Sequence, residues 1–254
     1  MTDDSADPAE RQSSPAPSPD GEEILVLYGS QTGNSESAAQ EIEALVPFHL
    51  VQPAPCRSRC MQLDDFLEVE KAQWTRLVII VCSSYGVGQA PLGARKFREL
   101  CDAILERQKN NDFVDKDKKF LRGVGFALLG LGDSHYTTFF QNPTAINDAL
   151  IAAGATRVGE LGKADASGTG NDEQSKVIDR WIEGVWNDLA KVIATERPPA
   201  QEVLDGAKEG TWGMCLKLFP EWNEKKSSAG MLVAAGGVVL AIGAYLFVKM
   251  EGAI

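Results

Sequence analysis

Tyr28-Gly29-Ser30-Gln31-Thr32-Gly33-Asn34-Ser35 decides how this chain is read. The stretch follows an apolar run, Ile24-Leu25-Val26-Leu27, and opens a helical pattern from Ser37 to Val46. A strand, a turn rich in Gly, Ser and Thr, and then a helix make an anion site. The first N–H groups of a helix have no intrahelical partner, and the helix dipole favours negative charge there. The hydroxyls of Ser30, Thr32 and Ser35 add donors. A triphosphate-binding P-loop sets a Lys on the outer phosphates, and this stretch has none. It suits a single phosphate held by neutral donors.

Outward from the stretch, the same alternation of strand and helix repeats. Glu23 to Tyr28 is the first strand, and its helix places Ala38, Ala39, Ile42, Leu45 and Val46 on one face. Phe48 to Val51 reads as a short second strand ended by Pro53 and Pro55, with a short helix around Leu63 to Val69. Arg76 to Cys82 is a continuous apolar run, as expected of a parallel strand covered on both faces. It leads into Ser83-Ser84-Tyr85-Gly86-Val87-Gly88-Gln89, then a helix with Ala94, Phe97, Leu100, Cys101 and Ile104 inward. Gln108 to Lys119 is a polar connection. Val124 to Leu129 runs into Gly130-Leu131-Gly132-Asp133-Ser134-His135-Tyr136, and a helix from Thr144 to Ala153 stops at Gly154, a usual left-handed terminator. Thr156 to Leu161 is the fifth strand. Asp172 to Ala194 is the last helix, with Val177, Ile178, Trp181, Ile182, Val185 and Leu189 inward. This order predicts a doubly wound parallel sheet with right-handed crossovers. Ligands in such sheets sit beyond the carboxyl ends of the strands, where three Gly-rich loops would converge here.

The formal charge of −11 argues against non-specific nucleic-acid binding. It suits a basic protein partner, or solubility alone. The five cysteines are scattered, and only Cys56 and Cys60 are close, so no zinc set forms. Reduced thiols in a cytosolic domain are expected, with no secretory signal. Residues 1–22, rich in Asp, Ser, Pro and Ala, are expected to be disordered.

Past the domain, residues 195–228 read as a linker and Ala229 to Val248 as twenty uncharged residues. As a helix that stretch spans about 30 Å, the thickness of a hydrocarbon core. Lys225 and Lys226 precede it, and a short tail, Lys249 to Ile254, follows. The expectation is a tail anchor with the domain on the cytosolic side, in the endoplasmic reticulum rather than the mitochondrial outer membrane. Gly230, Ala234, Gly237, Ala241 and Ala244 put small residues on one seam, which suits self-association or a membrane partner, or an anchor with no partner. Trp212, Leu216, Phe219 and Trp222 lie in the linker, to be seated in the membrane interface or docked on the domain.

Taken together, these motifs resemble the flavodoxin-like FMN domain of the diflavin reductases, over roughly Glu23 to Ala194. Within that family the methionine synthase reductase branch is the most similar, on Ala94-Arg95-Lys96-Phe97, Leu128 to Thr137, Gly154-Ala155 and Trp181-Ile182-x-Gly184-x-Trp186. The resemblance implies a five-stranded sheet of order 2-1-3-4-5 and FMN as cofactor. It implies that Ser30, Gln31, Thr32, Gly33, Asn34 and Ser35 hold the phosphate. Ser83, Ser84, Tyr85, Gly86 and Gly88 would line one face of the flavin. Leu131, Gly132, Asp133 and Tyr136 would line the other, with Asp165 from the segment Leu161-Gly162-Lys163-Ala164-Asp165. The Gly86 peptide would flip to bond the protonated flavin N5 in the one-electron reduced state. Asp133 and Asp165, if near the flavin, would oppose further negative charge on it. His135 would either be solvated or tune the flavin.

Two departures stand out. Val87 and Gln89 replace acidic residues common in relatives, and no FAD- and NADPH-binding half is present in the 254 residues. The expected function is therefore a membrane-anchored carrier of single electrons. A separate NAD(P)H-dependent flavin reductase would supply it, and a redox acceptor protein such as methionine synthase, a haem protein or a desaturase would discharge it. No catalytic residue and no metal site are expected. A quinone reductase taking hydride directly, a donor to a tRNA-modifying radical enzyme, and a module that has lost FMN are the alternatives.

Overall fold

Why the sheet assembles is visible in its central strands. In β1 (Glu23–Gly29), β3 (Leu77–Ser83) and β4 (Gly125–Gly132) nearly every side chain is buried, because helices cover both faces. Burying each large aliphatic side chain contributes roughly 1.5–3 kcal/mol. The computed structural model describes residues 21–70, 73–110 and 119–195. Around the central strands lie α1 (Asn34–His49), β2 (Arg57–Gln62), α2 (Leu63–Phe66), α3 (Arg95–Lys109), α4 (Gln141–Ala152), β5 (Thr156–Arg157), β6 (Gly162–Asp165) and α5 (Gln174–Ala194). All pairings are parallel, in the order β2-β1-β3-β4-β5, with β6 also on β4. Two cores result. One lies under α3 and α4 around Phe97, Ile104, Phe126 and Ile146; the other lies under α1 and α5 around Ile42, Val46, Ile79 and Leu189. The winding direction reverses between β1 and β3, which opens a crevice at their carboxyl ends.

The second strand corrects the sequence reading. Phe48 to Val51 is not a strand: α1 continues to His49, and Phe48 is 77 % exposed. Pro47 sits inside the helix and cannot donate to Glu43. The carbonyl of Glu43 instead accepts the Ser58 hydroxyl at 2.9 Å, and its carboxylate accepts the Cys60 N–H at 3.0 Å. These bonds draw Arg57–Gln62 to the sheet edge. That strand is polar because it is an edge strand, only partly buried, so it lacks the apolar run that marked the others.

The fifth strand is split. Thr156–Arg157 and Gly162–Asp165 both pair with β4, and Gly159 at φ 69° turns the chain out between them. The gap is filled by Trp181, whose indole N–H donates to the Glu160 carbonyl at 3.0 Å. The fourth helix begins at Gln141, three residues ahead of the expected Thr144. Pro143 falls in its first turn, where a missing N–H costs nothing.

At the opposite end of the sheet from the crevice, Arg76 is buried and ties the segment before β1 to the end of α5. Its guanidinium grips both oxygens of Glu22 at 2.6 and 2.7 Å, and donates to the carbonyls of Ile193 and Thr195 at 2.9 Å each. A cation at the last carbonyls of α5 also complements the helix dipole.

Among the described residues, no helix is long and apolar enough to cross a membrane. The expected disordered N-terminus up to residue 20, most of the polar connection after α3, the linker with its tryptophans, the anchor Ala229 to Val248 and the final tail lie outside the described residues.

Candidate functional site

The turn between β1 and α1 is built for an anion. Gly33 is the residue before the helix, at φ 94°, a left-handed conformation that favours glycine. Its N–H donates to the Ser30 hydroxyl at 3.0 Å, closing the turn. The first helical bond runs from Ser37 to Gly33 at 2.8 Å, and no side chain caps the helix. The N–H groups of the first turn, Asn34 to Glu36, have no intrahelical partner. Ser35 is 1 % exposed, yet its hydroxyl has no hydrogen-bond partner. An unpartnered buried hydroxyl is costly, and a bound acceptor in this turn would satisfy it.

The second loop is a tight reversal after β3. Tyr85 and Gln89 exchange backbone hydrogen bonds at 2.8 and 2.9 Å, leaving Gly86, Val87 and Gly88 at the tip. Gly86 and Gly88 have φ of 53° and 82°. Tyr85 stands out from this loop, 46 % exposed. The loop is tied to the phosphate turn through the Leu92 N–H, 3.3 Å from the Gln31 side-chain oxygen.

Beside it is the loop after β4. β4 itself runs to Gly132, so Leu131 and Gly132 are buried strand residues rather than loop. Tyr136 is 57 % exposed on the turn that follows. The Thr138 hydroxyl donates to the Gly86 carbonyl at 3.3 Å, so the two tyrosine-bearing loops are in direct contact. Ser84 extends the ladder by donating its N–H to Leu131 at 2.9 Å.

Asp133 and Asp165 belong to one network. Asp133 Oδ1 accepts the His135 N–H at 3.0 Å and the Ser167 hydroxyl, and lies 3.0 Å from His135 Nδ1. Asp165 Oδ1 accepts the N–H groups of Ser134 at 2.9 Å and Ser167 at 3.0 Å. The Ser167 hydroxyl bond, joined by the His135 N–H, holds the Asp133 carboxyl below its usual range. At Asp165 partial burial pushes upward, but the donors from Ser134 and Ser167 outweigh it, and this carboxyl too is lowered. Both are therefore anionic at neutral pH, at the carboxyl ends of β4 and β6.

The residues expected to bind the cofactor thus gather at one end of the sheet, on the last residues of β3, β4 and β6, the loops after β1, β3 and β4, and the first turn of α1. Sequence reasoning missed four that hold those loops together: Thr138, Asn142, Ser167 and Gln174. Gln174 receives a bond from Asn34 at 3.3 Å and donates to the carbonyls of Gly132 at 3.3 Å and Ala164 at 3.2 Å. It thereby fastens the phosphate turn to the ends of β4 and β6. Only the polar residues at a helix start, Asn142 and Gln174, carried any signal, and it was no different from ordinary capping. Burial pushes the thiols of Cys60 and Cys82 up to about 12, so both are protonated at neutral pH. No group of His, Cys, Asp and Glu among the described residues could hold a metal.

The family model for flavodoxin matches residues 26–181, more than half of the chain. The chain belongs to the flavodoxin family. Its relatives include methionine synthase reductase of Homo sapiens, 33 % identical over 185 residues, which cover 72 % of this chain and 23 % of that protein. Pyruvate dehydrogenase [NADP(+)] of Cryptosporidium parvum is 33 % identical over 239 residues, covering 87 % of this chain and 12 % of the relative. Bifunctional cytochrome P450/NADPH–P450 reductase 1 of Bacillus subtilis (strain 168) is 30 % identical over 174 residues, covering 68 % and 14 %. The chain thus spans less than a quarter of the length of these relatives.

FMN is the cofactor of this flavodoxin-family domain, and the site fits it. The phosphate turn carries an unpartnered buried hydroxyl and free helix N–H groups and no cation of its own. Two exposed tyrosines stand on touching loops at the same end of the sheet, and apolar ring faces suit a flat heteroaromatic ring.

Proposed function

We propose that this protein is a membrane-anchored FMN electron carrier. It takes electrons from a separate NAD(P)H-dependent flavin reductase and passes them singly to an acceptor protein with a metal or cofactor centre. Methionine synthase is one such acceptor, in keeping with the relatives named methionine synthase reductase. The observation that carries the reading is the convergence, at one sheet edge, of a Lys-free phosphate turn and two exposed tyrosines.

The turn Ser30 to Ser35 would hold the phosphate through N–H groups and hydroxyls. Tyr85 and Tyr136 would cover the ring and exclude water. FMN supplies the electron-transfer chemistry when bound. Asp133 and Asp165 place negative charge at this end of the sheet, which would disfavour a build-up of further negative charge on a bound flavin. The exposure of Tyr85 and Tyr136 leaves an edge of the site open to a partner.

The uncharged stretch Ala229 to Val248 supports the anchor, with the domain on the cytosolic side of the endoplasmic reticulum. The small-residue seam through Gly237 and Ala241 supports self-association within the bilayer.

The test has two arms. Full-length protein should take up FMN and be reduced by NADPH only when a flavin reductase is added. Rapid direct oxidation of NADPH would favour a quinone reductase instead, and failure to take up FMN would sink both. In liposome flotation the full chain should float and a chain ending at residue 228 should not. Equal flotation of both would remove the anchor. Large residues at Gly237 and Ala241 should abolish crosslinked dimers, and unchanged crosslinking would reject the seam.

A further inference from the structure

We infer that Asn142 is a positioning residue that sets the spacing of the two walls of the flavin slot. The inference rests on the FMN reading and names a residue outside the motifs that led to it.

Asn142 is the second residue of α4 and is fully buried. Every hydrogen-bonding atom of its side chain is used across an element boundary. Its amide nitrogen donates to the Ser83 carbonyl at 2.9 Å and to Cys82 Sγ at 3.2 Å, both at the end of β3. Its amide oxygen accepts from Arg98 of α3 at 3.1 Å, and Arg98 is itself held by Asp102 at 2.8 Å. Its backbone N–H donates to the Ser84 hydroxyl at 3.0 Å. Ser84 precedes Tyr85, the wall on the β3 side.

The other wall is joined rigidly to the same residue. From Tyr136 to Asn142 the chain runs through consecutive tight turns, Phe139 to Tyr136 at 3.0 Å and Gln141 to Thr138 at 3.2 Å. Phe140, just before α4, is held at φ 63° with its ring buried. Asn142 therefore clamps the base of one wall to the root of the other, while Thr138 and Gly86 touch at the rim.

Only a short primary amide meets these demands. It offers two donors and one acceptor in fixed geometry. An Asp keeps the acceptor for Arg98 but sets a carboxylate oxygen against the Ser83 carbonyl. That repulsion acts on the loop carrying Tyr85. The phosphate turn, on β1 and α1, makes no contact with Asn142 in this network.

The predicted signature follows from that separation. Loosening the slot weakens the hold on the isoalloxazine ring, so FMN and riboflavin should lose affinity by the same factor. The full-length apoprotein is titrated with each flavin, following quenching of flavin fluorescence, as wild type, Asn142→Asp and Arg98→Gln. Asn142→Asp should raise both dissociation constants about tenfold, the size expected for one lost and one repulsive polar contact, at unchanged stoichiometry. Arg98→Gln, which loosens the hold of α3 on the Asn142 amide oxygen, should raise both by roughly threefold. Unchanged constants, a loss confined to FMN, or fewer sites of unchanged affinity would each overturn the inference. If Asn142→Asp does not fold, Arg98→Gln decides by the same criteria. Wild-type protein that binds neither flavin would overturn the FMN reading itself.

Discussion

Replacing Ser35 by Ala should move the empty and the loaded protein in opposite directions. Ser35 lies in the first turn of α1, 1 % exposed, and its hydroxyl has no partner. Leaving such a group unsatisfied costs about 1–3 kcal/mol. Ala removes the group and leaves a void of only one oxygen, and it is at least as good a helix former. The empty protein should therefore gain about 1 kcal/mol, or about 2–4 °C in melting temperature for a domain of this size. With FMN present the sign reverses. A hydroxyl bonded to a phosphate contributes about 1.5–3 kcal/mol, so FMN affinity should fall roughly 10- to 150-fold. Riboflavin, which lacks the phosphate, should bind as before. Thermal melts of the apoprotein with and without each flavin, and flavin titrations, measure all three quantities. A less stable apoprotein together with unchanged FMN affinity would refute the reasoning, since the hydroxyl would then be a structural group.

Other perturbations follow from the same geometry. A methyl at Gly130 would lie 2.4 Å from the Phe140 ring and 2.6 Å from Pro143, neither free to retreat, so Gly130→Ala should cost about 1–3 kcal/mol in urea unfolding. An unchanged midpoint would show that the α4 entry is softer than its packing indicates. Arg76→Met should cost about 3 kcal/mol, because Glu22 and two carbonyls of the α5 end lose their shared donor. Glu22→Gln should cost less than half of that, since the Glu22 side chain is 41 % exposed and screened; equal losses would contradict this division. The carboxyls of Asp133 and Asp165 are both lowered from 3.8 in the fold, so their contribution is full above that value and is lost as pH falls through the lowered values. Melting temperatures of Asp133→Asn should thus lie below wild type at neutral pH and converge with it only on acidification below about pH 3.8. A gap that widens in acid would reverse the assigned sign.

Much of this molecule was decided by the order of residues alone. The apolar runs of β1, β3 and β4 are legible because each of these strands is covered on both faces, so the demand for apolar side chains is unbroken along the chain. The phosphate turn is legible for a different reason: its donors are backbone N–H groups and neighbouring hydroxyls, contiguous in sequence. Tyr85 stood out because it lies beside Gly86, and Tyr136 because it follows Gly130-Leu131-Gly132 in the same loop stretch.

What escaped sequence reading depends on contacts between distant segments. The edge strand Arg57–Gln62 is polar, and it is placed by Glu43, whose carbonyl a proline left free. The interruption between β5 and β6 is filled by Trp181, some twenty residues further on. Asn142 has the local pattern of an ordinary helix start. Its role exists only because folding brings it to Ser83, Ser84 and Arg98, between 44 and 59 residues away in the chain. Local patterns record burial and backbone chemistry, which each residue meets on its own. The spacing of two loops is a property of the bonds between them, and those bonds form only in three dimensions.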